Sequence, residues 1–474
     1  MSFNLSEILA EHDGENFQLQ SKYMNPQLAK VVKTLGFDRF YVRGEGCYLY
    51  DEEGAQYLDL LSGFGVFALG RSHPVVRDAL HQALDADLPN MVQMDCALLP
   101  GLLAEQLVTR SPDQIERVYF CNSGAEAVEA AIKFARASTG RQRIAYHSHA
   151  YHGLTMGALA LNGSKEFKKP FGEMLPGAVE IPFGDVDALR AELKRGDVAA
   201  FIVEPIQGKG VYELEGDVWR ALEAACREGG ALFICDEVQT GIGRTGKFYA
   251  FEHFDLRPDI ITVSKALSGG YVPVGAMLTS DKIFRGVYSS MERAMVHSTT
   301  FKGNQLAMVA GLATLQVFDD EGLVEHAASM GDVWHKKLGE LAERHEYVHE
   351  IRGRGQMIGI EFAAPSSPAL KRRWRAVESA RTALFTQSLV VPLFQKHHIL
   401  TQVAADNVNI IKLLPALIAG EEEIDLFVGA LDELLGDTEK SSAWIFGFGA
   451  AMVKGMTKRT RSSSNASHTP STAS

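Results

Sequence analysis

From about residue 75 onwards the chain alternates between short apolar runs and stretches with the periodicity of a helix. Between the runs, apolar side chains recur every three or four residues, as they do on one face of a helix. This alternation predicts parallel β-α-β units and therefore an α/β fold with a mostly parallel central sheet. The apolar runs lie at residues 118–121, 143–147, 199–203, 232–235 and 260–263.

The same pattern divides the chain into four parts. Residues 1–74 contain short β-rich runs separated by glycine and acidic turns, and we expect them to contribute to a small domain. Residues 75–303 form the predicted large domain, and residues 304–436 form a predicted smaller α+β domain. Residues 437–474 contain an apolar patch, basic residues and a Ser/Thr-rich end. We expect a docked apolar turn followed by disorder, with membrane contact as the alternative.

The composition is that of a globular protein with a large core. The 474 residues are 46% hydrophobic and 22% charged, which excludes wholesale disorder. A formal net charge of −12 disfavours a nucleic-acid partner. The five cysteines show no C-x-x-C spacing, so neither a disulfide framework nor a metal site is expected. The acidic beginning of the chain and the lack of a long apolar stretch favour a cytoplasmic location.

Residues whose side chains can bind ligands or react follow the apolar runs. The carboxyl ends of parallel strands meet at one edge of a sheet. Ser123, Gly124 and Ala125 open a helix, where free backbone N–H groups can bind an anion such as phosphate. The alternative is that Ser123 only caps the helix. Tyr151 and His152 bring an aromatic ring and an imidazole to the same edge, with core packing as the alternative for Tyr151.

Ionisable residues follow the other three runs. Glu204 stands just beyond a strand that Pro205 ends, with a solvated surface acid as the alternative. Asp236 ends an apolar strand, where a carboxylate is costly to bury unless it meets a cation. Lys265 is either a surface residue or an amine whose pKa is lowered for Schiff-base chemistry. Residues 241–247 match G-x-x-x-x-G-K but lack the hydroxyl of a P-loop, which disfavours a nucleoside triphosphatase.

The motifs NSGAEA, YHG, EPIQG, DEVQTGIGRTG and SKALSGG occur in this order between residues 122 and 270. As an ordered set they resemble the class III pyridoxal-phosphate-dependent aminotransferases, in the branch that acts on ω-amines and diamines such as putrescine. The resemblance extends over nearly the whole chain before residue 437. It implies fold type I of the pyridoxal-phosphate-dependent transferases, pyridoxal 5'-phosphate as cofactor, and a homodimer with shared active sites.

The resemblance also implies a role for each motif residue. Lys265 binds the cofactor as a Schiff base and moves a proton on the substrate, and Asp236 pairs with the pyridinium nitrogen. Both are therefore the expected catalytic residues. Thr299 and Thr300 correspond to hydroxyls that reach the phosphate in the neighbouring subunit. The remaining expected cofactor contacts are Ser123, Gly124, Ala125, Tyr151, His152, Val238 and Gln239.

The chain departs from the family pattern at positions that face the substrate. Leu154 and Phe64 replace an arginine and a tyrosine of ornithine-type relatives. Lys412 replaces the arginine that binds the α-carboxylate, and Glu204 stands at the position of the substrate-side glutamate. We therefore predict transamination of a terminal amine, such as a diamine or an aliphatic amine, with pyruvate or 2-oxoglutarate as acceptor.

Other functions are compatible with the same motifs. An ω-amino-acid aminotransferase of the ornithine, acetylornithine or 4-aminobutyrate type would use the same lysine and aspartate. An aminomutase or a decarboxylase would also use them. A non-catalytic protein that binds the cofactor is disfavoured because Lys265 and Asp236 are both present.

Overall fold

The structure, a computed structural model, describes residues 3–379, 381–405 and 407–440. The helices are α1 Leu5–Glu11, α2 Asn16–Tyr23, α3 Pro26–Leu35, α4 Ser62–Gly65, α5 Pro74–Asp85, α6 Leu98–Thr109, α7 Gly124–Thr139, α8 Met156–Ala160, α9 Lys165–Lys168, α10 Val186–Leu193, α11 Gly216–Gly229, α12 Asp281–Val287, α13 Gln305–Asp320, α14 Leu323–Arg344, α15 Pro368–Glu378, α16 Leu384–His397 and α17 Glu421–Lys440. Short 3-10 helices lie at Lys169–Phe171, Ala250–Phe254, Lys265–Ser268 and Met291–Arg293. The strands are β1 Tyr41–Glu45, β2 Tyr48–Asp51, β3 Gln56–Asp59, β4 Arg117–Cys121, β5 Arg143–His147, β6 Ala178–Ile181, β7 Val198–Val203, β8 Leu232–Asp236, β9 Ile260–Val263, β10 Gly275–Thr279, β11 Val348–Arg354, β12 Met357–Phe362, β13 Ile399–Leu400, β14 Gln402–Val403 and β15 Ile410–Leu413.

The central sheet has the strand order β4-β10-β9-β8-β7-β5-β6. Neighbouring strands from β6 to β9 pair in parallel, whereas β10 runs antiparallel to both β4 and β9. The carboxyl ends of β4, β5, β7, β8 and β9 therefore lie at one edge, because β4 points the same way as β9. The predicted α/β fold with a mostly parallel sheet is confirmed.

Alternate side chains of the central strands pack on opposite faces of the sheet, as the pleat requires. In β7, Phe201 and Val203 belong to one core cluster, whereas Ala200 and Ile202 belong to the cluster under α7. All of β7 is buried, which explains its unbroken apolar sequence. Burial of each large side chain contributes about 1.5–3 kcal/mol, so the sheet is a rigid platform for residues at its edge.

A second core belongs to the smaller part of the molecule. The antiparallel sheet β11-β12-β15-β14 packs with α14, α16 and α17, and Trp334, Leu389 and Phe427 are fully buried there. The first part of the chain joins this region because β3 pairs in parallel with β13, and Leu58 lies opposite Ile399 in this pairing. The two ends of the described chain therefore meet in one substructure.

Two of the expected domain limits fall beside or within a helix. Helix α13 follows the limit at 303/304, yet its side chains pack in the core of the large sheet. Helix α17 crosses the limit at 436/437 and continues to Lys440. The apolar patch and basic end expected beyond it, residues 441–474, lie outside the described residues. Within the described ranges, no helix is long and apolar enough to cross a membrane.

Candidate active site

A cavity of about 550 Å³ lies at the carboxyl edge of the central sheet. Side chains from the large sheet, the N-terminal segment and the small antiparallel sheet line it together. The structure thus brings together residues that are far apart in the sequence. The predicted site residues that line the cavity are Phe64, Gly124, Ala125, Tyr151, His152, Leu154, Glu204, Asp236, Val238, Gln239, Lys265 and Lys412.

Lys265 begins the short 3-10 helix that follows β9. Its φ of +39° is unusual for a residue with a side chain, and such a conformation costs on the order of 1–3 kcal/mol. Burial lowers the pKa of the Lys265 amine, against the opposing charges of Asp236 and Glu204. The strained backbone therefore presents an amine whose neutral form is favoured by its surroundings.

Asp236 ends β8 and is buried. Its Oδ2 lies 2.7 Å from His152 Nδ1, and its Oδ1 accepts hydrogen bonds from Thr262 Oγ1 at 2.9 Å and from the Val238 N–H at 3.1 Å. Burial lowers the pKa of His152, but the hydrogen bond and charge of Asp236 outweigh it, so the His152 pKa lies above its ordinary value. The carboxylate is thus held in one orientation by three groups.

Thr262 was not predicted from the sequence. It lies in β9 directly opposite Asp236 in the parallel pairing of β8 and β9, which brings its hydroxyl to the carboxylate. The only sequence signal is a hydroxyl within the apolar run IITV, and its meaning depends on the register of two strands.

Glu204 follows β7 and is buried. Its Oε1 accepts a hydrogen bond from the Tyr151 N–H at 2.8 Å, and its Oε2 accepts one from the Gly208 N–H at 2.7 Å. Burial raises the pKa of Glu204, although His152 and the two backbone donors act against this. Glu204 therefore also holds the turn that carries Tyr151 close to the turn that carries Gly208.

Lys412 reaches the cavity from β15 of the small sheet. Its Nζ donates hydrogen bonds to the Gly208 carbonyl at 2.5 Å and to Gln239 Oε1 at 3.2 Å. Burial lowers the pKa of Lys412 to about 7, and the neighbouring charge of Lys265 adds to this effect. The cavity thus contains a cation that can lose its charge near neutral pH.

The start of helix α7 forms another wall of the cavity. Ser123 is the N-cap, and its Oγ accepts a hydrogen bond from the Glu126 N–H at 3.2 Å, so the capping interpretation holds for its side chain. A Cβ at Gly124 would lie 2.6 Å from Val238 Cγ1. Because the 16-residue helix points its positive end at this narrow wall, an anionic group such as a phosphate fits there.

Three predicted cofactor residues do not line this cavity. Ser123 lies just outside it, with its hydroxyl engaged in the cap. Thr299 Oγ1 accepts a hydrogen bond from Asn122 Nδ2 at 3.0 Å, and Thr300 is exposed on the surface. Neither threonine therefore contributes to the wall of the cavity that contains Lys265 of its own chain.

The rim of the cavity is apolar at the two positions where the resemblance to ornithine-type relatives implies an arginine and a tyrosine. Phe64 is 55% exposed and Leu154 is 50% exposed, and both border the cavity. The Phe64 carbonyl accepts a hydrogen bond from Gln239 Nε2 at 3.1 Å, which fixes the loop that carries the ring.

Several lining residues were not predicted from the sequence. Lys209 follows the EPIQG motif, and its Nζ lies 4.1 Å from the ring centre of Phe167 and 5.0 Å from that of Tyr151. Gln402 and Ala404 line the cavity from the small sheet and the loop after it. Only the position of Lys209 next to a motif gives any signal in the sequence.

The chain belongs to the class III aminotransferases, because residues 30–435 match the sequence pattern of that family. It is a pyridoxal-phosphate-dependent aminotransferase of fold type I, and its cofactor is pyridoxal 5'-phosphate. The residues fit this cofactor: a helix start for an anion, a buried carboxylate for a ring cation and a buried amine for an aldehyde. In the described part of the chain, His152 Nε2 is buried without a hydrogen-bond partner beside that carboxylate.

Relatives support this assignment. The chain is 36% identical over 441 residues to the aminotransferase PigE of a Serratia strain, covering 86% of this chain and 52% of that protein. It therefore spans about half the length of this curated relative. The ornithine aminotransferase of Toxoplasma gondii is 25% identical, with a TM-score of 0.81 over 93% of this chain and 100% of its own. An omega transaminase variant from Pseudomonas jessenii is 27% identical, with a TM-score of 0.78 over 88% and 96%.

Proposed function

We propose that this aminotransferase moves the amino group of a terminal aliphatic amine to a 2-oxo acid, pyruvate or 2-oxoglutarate. The observation that carries the proposal is the contrast between the apolar rim and the buried Lys412 on the small sheet. Phe64 and Leu154 offer hydrocarbon where a second carboxylate would need a guanidinium, whereas Lys412 offers a cation for one carboxylate. Of the other two lysines in the lining, Lys265 is the proposed catalytic amine and Lys209 lies over the ring of Phe167. An amine without a carboxylate and an acceptor with one therefore suit the same cavity.

The proposed catalytic roles belong to Lys265 and Asp236. Bound pyridoxal phosphate supplies an aldehyde that condenses with amines and a ring that withdraws electrons from the carbon bearing nitrogen. Burial favours the neutral amine of Lys265. This amine would take a proton from the substrate carbon that bears nitrogen and return it to the carbon that came from the cofactor aldehyde. Asp236 keeps the ring nitrogen protonated, and His152 and Thr262 hold its carboxylate in place.

The remaining proposed cofactor contacts follow from position. Ser123, Gly124 and Ala125 offer the helix start to the phosphate. Tyr151 and Val238 offer flat and branched surfaces to the two faces of the ring. Gln239 would adjoin the ring oxygen, and Thr299 and Thr300 would reach the phosphate in the neighbouring subunit of a homodimer.

Lys412 is the proposed recognition group for the carboxylate of the oxo acid. It lies on the small sheet, opposite the sheet edge that carries Lys265, and its present partners are neutral oxygen atoms that a carboxylate can displace. Glu204 is already engaged by two backbone N–H groups, so it stabilises the turns around the substrate instead of meeting a second cation.

An ω-amino-acid aminotransferase is the second candidate function. The similarity to the ornithine aminotransferase of Toxoplasma gondii over nearly the whole of both chains favours it. The lining residues in the described part of the chain include no arginine, which favours the amine over the amino acid. An aminomutase or decarboxylase activity has less support, because the three relatives named above are aminotransferases and an omega transaminase.

We further propose a homodimer with shared active sites. Several large apolar side chains close to the two threonines are exposed on the surface of the single chain, as expected of a subunit interface. Residues from 91–100 and 294–303 line one depression there. The exposed side chains are Met94, Leu98, Met291, Met295 and Phe301. A cytoplasmic location is also a proposal, supported by five free cysteines within the described chain.

A panel of amino donors tests the function directly. The purified holoenzyme is given butylamine, putrescine, cadaverine, ornithine, acetylornithine or 4-aminobutyrate, each with pyruvate and with 2-oxoglutarate. We expect the simple amines and diamines to give the higher kcat/KM. Faster turnover of ornithine, acetylornithine or 4-aminobutyrate would replace the first candidate with the second.

A further inference from the structure

A second cavity, of about 380 Å³, adjoins the cavity that holds Lys265. The two cavities share four lining residues: Phe167, Lys209, Gln402 and Ala404. Neither the family motifs nor the proposed catalytic roles account for this second space. Because these four residues contribute to both walls, the two cavities lie directly beside each other.

The walls of the second cavity combine an apolar part with polar side chains, among them Lys209, Arg381, Gln387 and Asn407. To the apolar part, Leu35 and Phe37 contribute from the end of α3, Leu384 and Val390 from α16, and Val403 from β14. Each methylene group that leaves water for such a surface improves binding by about fourfold. An aliphatic chain that reaches this cavity is therefore favoured over one that ends in the first.

Lys209 places an amino group where the two cavities meet. Its ammonium group lies over the ring of Phe167, 4.1 Å from the ring centre, at the boundary that both cavities share. A positive charge here repels a second ammonium group on the substrate and does not affect a hydrocarbon chain. The boundary therefore discriminates against a long diamine.

We propose that the second cavity binds the distal chain of a long primary aliphatic monoamine, which makes such an amine a better donor than a short amine or a long diamine. This inference rests on the proposed function and narrows its donor class. Among the terminal amines of that proposal, it selects those with an uncharged far end.

A chain-length series tests the cavity. The kcat/KM of butylamine, hexylamine and octylamine with saturating pyruvate is measured for the holoenzyme, and we expect octylamine to exceed butylamine by at least tenfold. In Gln387→Trp the indole fills the second cavity from α16, and the octylamine-to-butylamine ratio should fall to about one. Gln387→Ala, the matched control, leaves the cavity open and should keep the parent ratio.

Binding without turnover gives an independent measurement. Calorimetric titration with 1-octanol, which has no amine, should give a Kd at least tenfold lower in the parent enzyme than in Gln387→Trp. Equal affinities, or an unchanged octylamine-to-butylamine ratio in a folded Gln387→Trp enzyme, would overturn the proposal. Turnover of butylamine with no gain from chain length would leave the proposed function standing and exclude the second cavity.

The charge at the boundary is tested by a reversal. The parent enzyme should prefer octylamine to 1,8-diaminooctane, and Lys209→Glu should reduce this preference at least tenfold by attracting the distal ammonium group. Lys209→Met removes the charge but keeps a similar length, and should give an intermediate preference. If all three enzymes show the same preference, Lys209 does not select the far end of the donor.

Discussion

At the scale of single residues, orientation of the Asp236 carboxylate is the feature that most depends on its neighbours. A carboxylate can rotate about two bonds, but here His152, Thr262 and the Val238 N–H meet it from different directions. Each hydrogen bond to a charged group contributes about 1.5–3 kcal/mol when it is removed singly. The three together hold the carboxylate in one orientation, as a partner for a ring nitrogen requires.

Removal of the Thr262 hydroxyl tests this arrangement. In Thr262→Val we expect kcat for the amine donor to fall about 5- to 20-fold, because one hydrogen bond to the carboxylate is lost while the shape of the side chain is kept. Steady-state kinetics with saturating oxo acid measures this change. Thr279→Val is the matched control: Thr279 is also a fully buried strand threonine, but its hydroxyl donates to the Asp259 carbonyl away from the site. Equal effects of the two substitutions would contradict the role of Thr262.

The proposed role of Lys412 predicts that recognition of the acceptor depends on pH. Its amine carries a charge below its pKa of about 7 and is neutral above it. The kcat/KM of the oxo acid in the acceptor half-reaction should therefore fall as the pH rises, by up to about tenfold per unit above pH 7. Arginine stays charged throughout this range, so Lys412→Arg should flatten the profile. A profile that is the same in both enzymes would show that another group titrates.

At the scale of elements, the start of α7 and the turn after β8 approach each other closely. Gly124 has no Cβ, and Val238 occupies the space that a Cβ would need. The Val238 side chain and the Gly124 backbone thereby form the two sides of a narrow slot. The ends of β4 and β8 set its width. This contact couples the proposed phosphate wall to the strand that carries Asp236.

Gly124→Ala should weaken binding of the cofactor about tenfold or more, because the new methyl group pushes the start of α7 away from Val238. Equilibrium titration of the apoenzyme with pyridoxal phosphate measures the Kd. Gly429→Ala, in the interior of α17 with no atom within 4 Å of the new methyl group, is the control and should bind the cofactor normally. It should also stabilise its helix by up to about 1 kcal/mol. Gly124→Ala/Val238→Ala should recover part of the lost affinity, and a lack of recovery would argue against the slot.

Some elements and site residues could be predicted from the sequence, and others could not. Strands β5 and β9 have the predicted limits, and β4, β7 and β8 differ by one residue, since continuous apolar runs mark buried strands. Strands β6 and β10 were not predicted. β6 carries the charged Glu180 within a run of four residues, and β10 begins at Gly275. Asp236 and Lys265 stand out as charged residues at the ends of apolar runs, whereas Thr262 and Gln402 acquire meaning only through strand register and packing between the two sheets.

At the scale of the whole molecule, the cavity belongs to no single part of the fold. The large sheet contributes Asp236 and Lys265, the small sheet contributes Lys412, and the N-terminal segment contributes Phe64. Pairing of β3 with β13 ties that segment to the small sheet. A shift between the two sheets would therefore move Lys412 and Phe64 relative to the catalytic edge, so their packing sets the distance between amine and carboxylate sites.

The positions of Thr299 and Thr300 bear on whether one chain can form a complete active site. Thr299 and Thr300 do not line the cavity of their own chain, and they lie beside exposed apolar side chains. In the proposed homodimer, each site combines Lys265 of one subunit with the two threonines of the other. A chain with Lys265→Ala and a chain with Thr299→Ala/Thr300→Ala therefore carry defects that affect opposite sites of a mixed dimer.

Mixing the two variants tests the shared site. Each variant homodimer should have little activity, but a mixed dimer contains one site with Lys265 and both threonines intact. With random exchange, half of the dimers are mixed and each has one of two sites restored, so activity should reach about a quarter of the parent value. Differently tagged chains allow mixed dimers to be isolated and assayed. A mixture of Lys265→Ala with Asp236→Asn is the control, because both defects fall in the same half of the site and no intact site can form. If isolated mixed dimers of the first pair were as inactive as this control, the threonines would act within their own chain. An active Thr299→Ala/Thr300→Ala homodimer would show that they have no role.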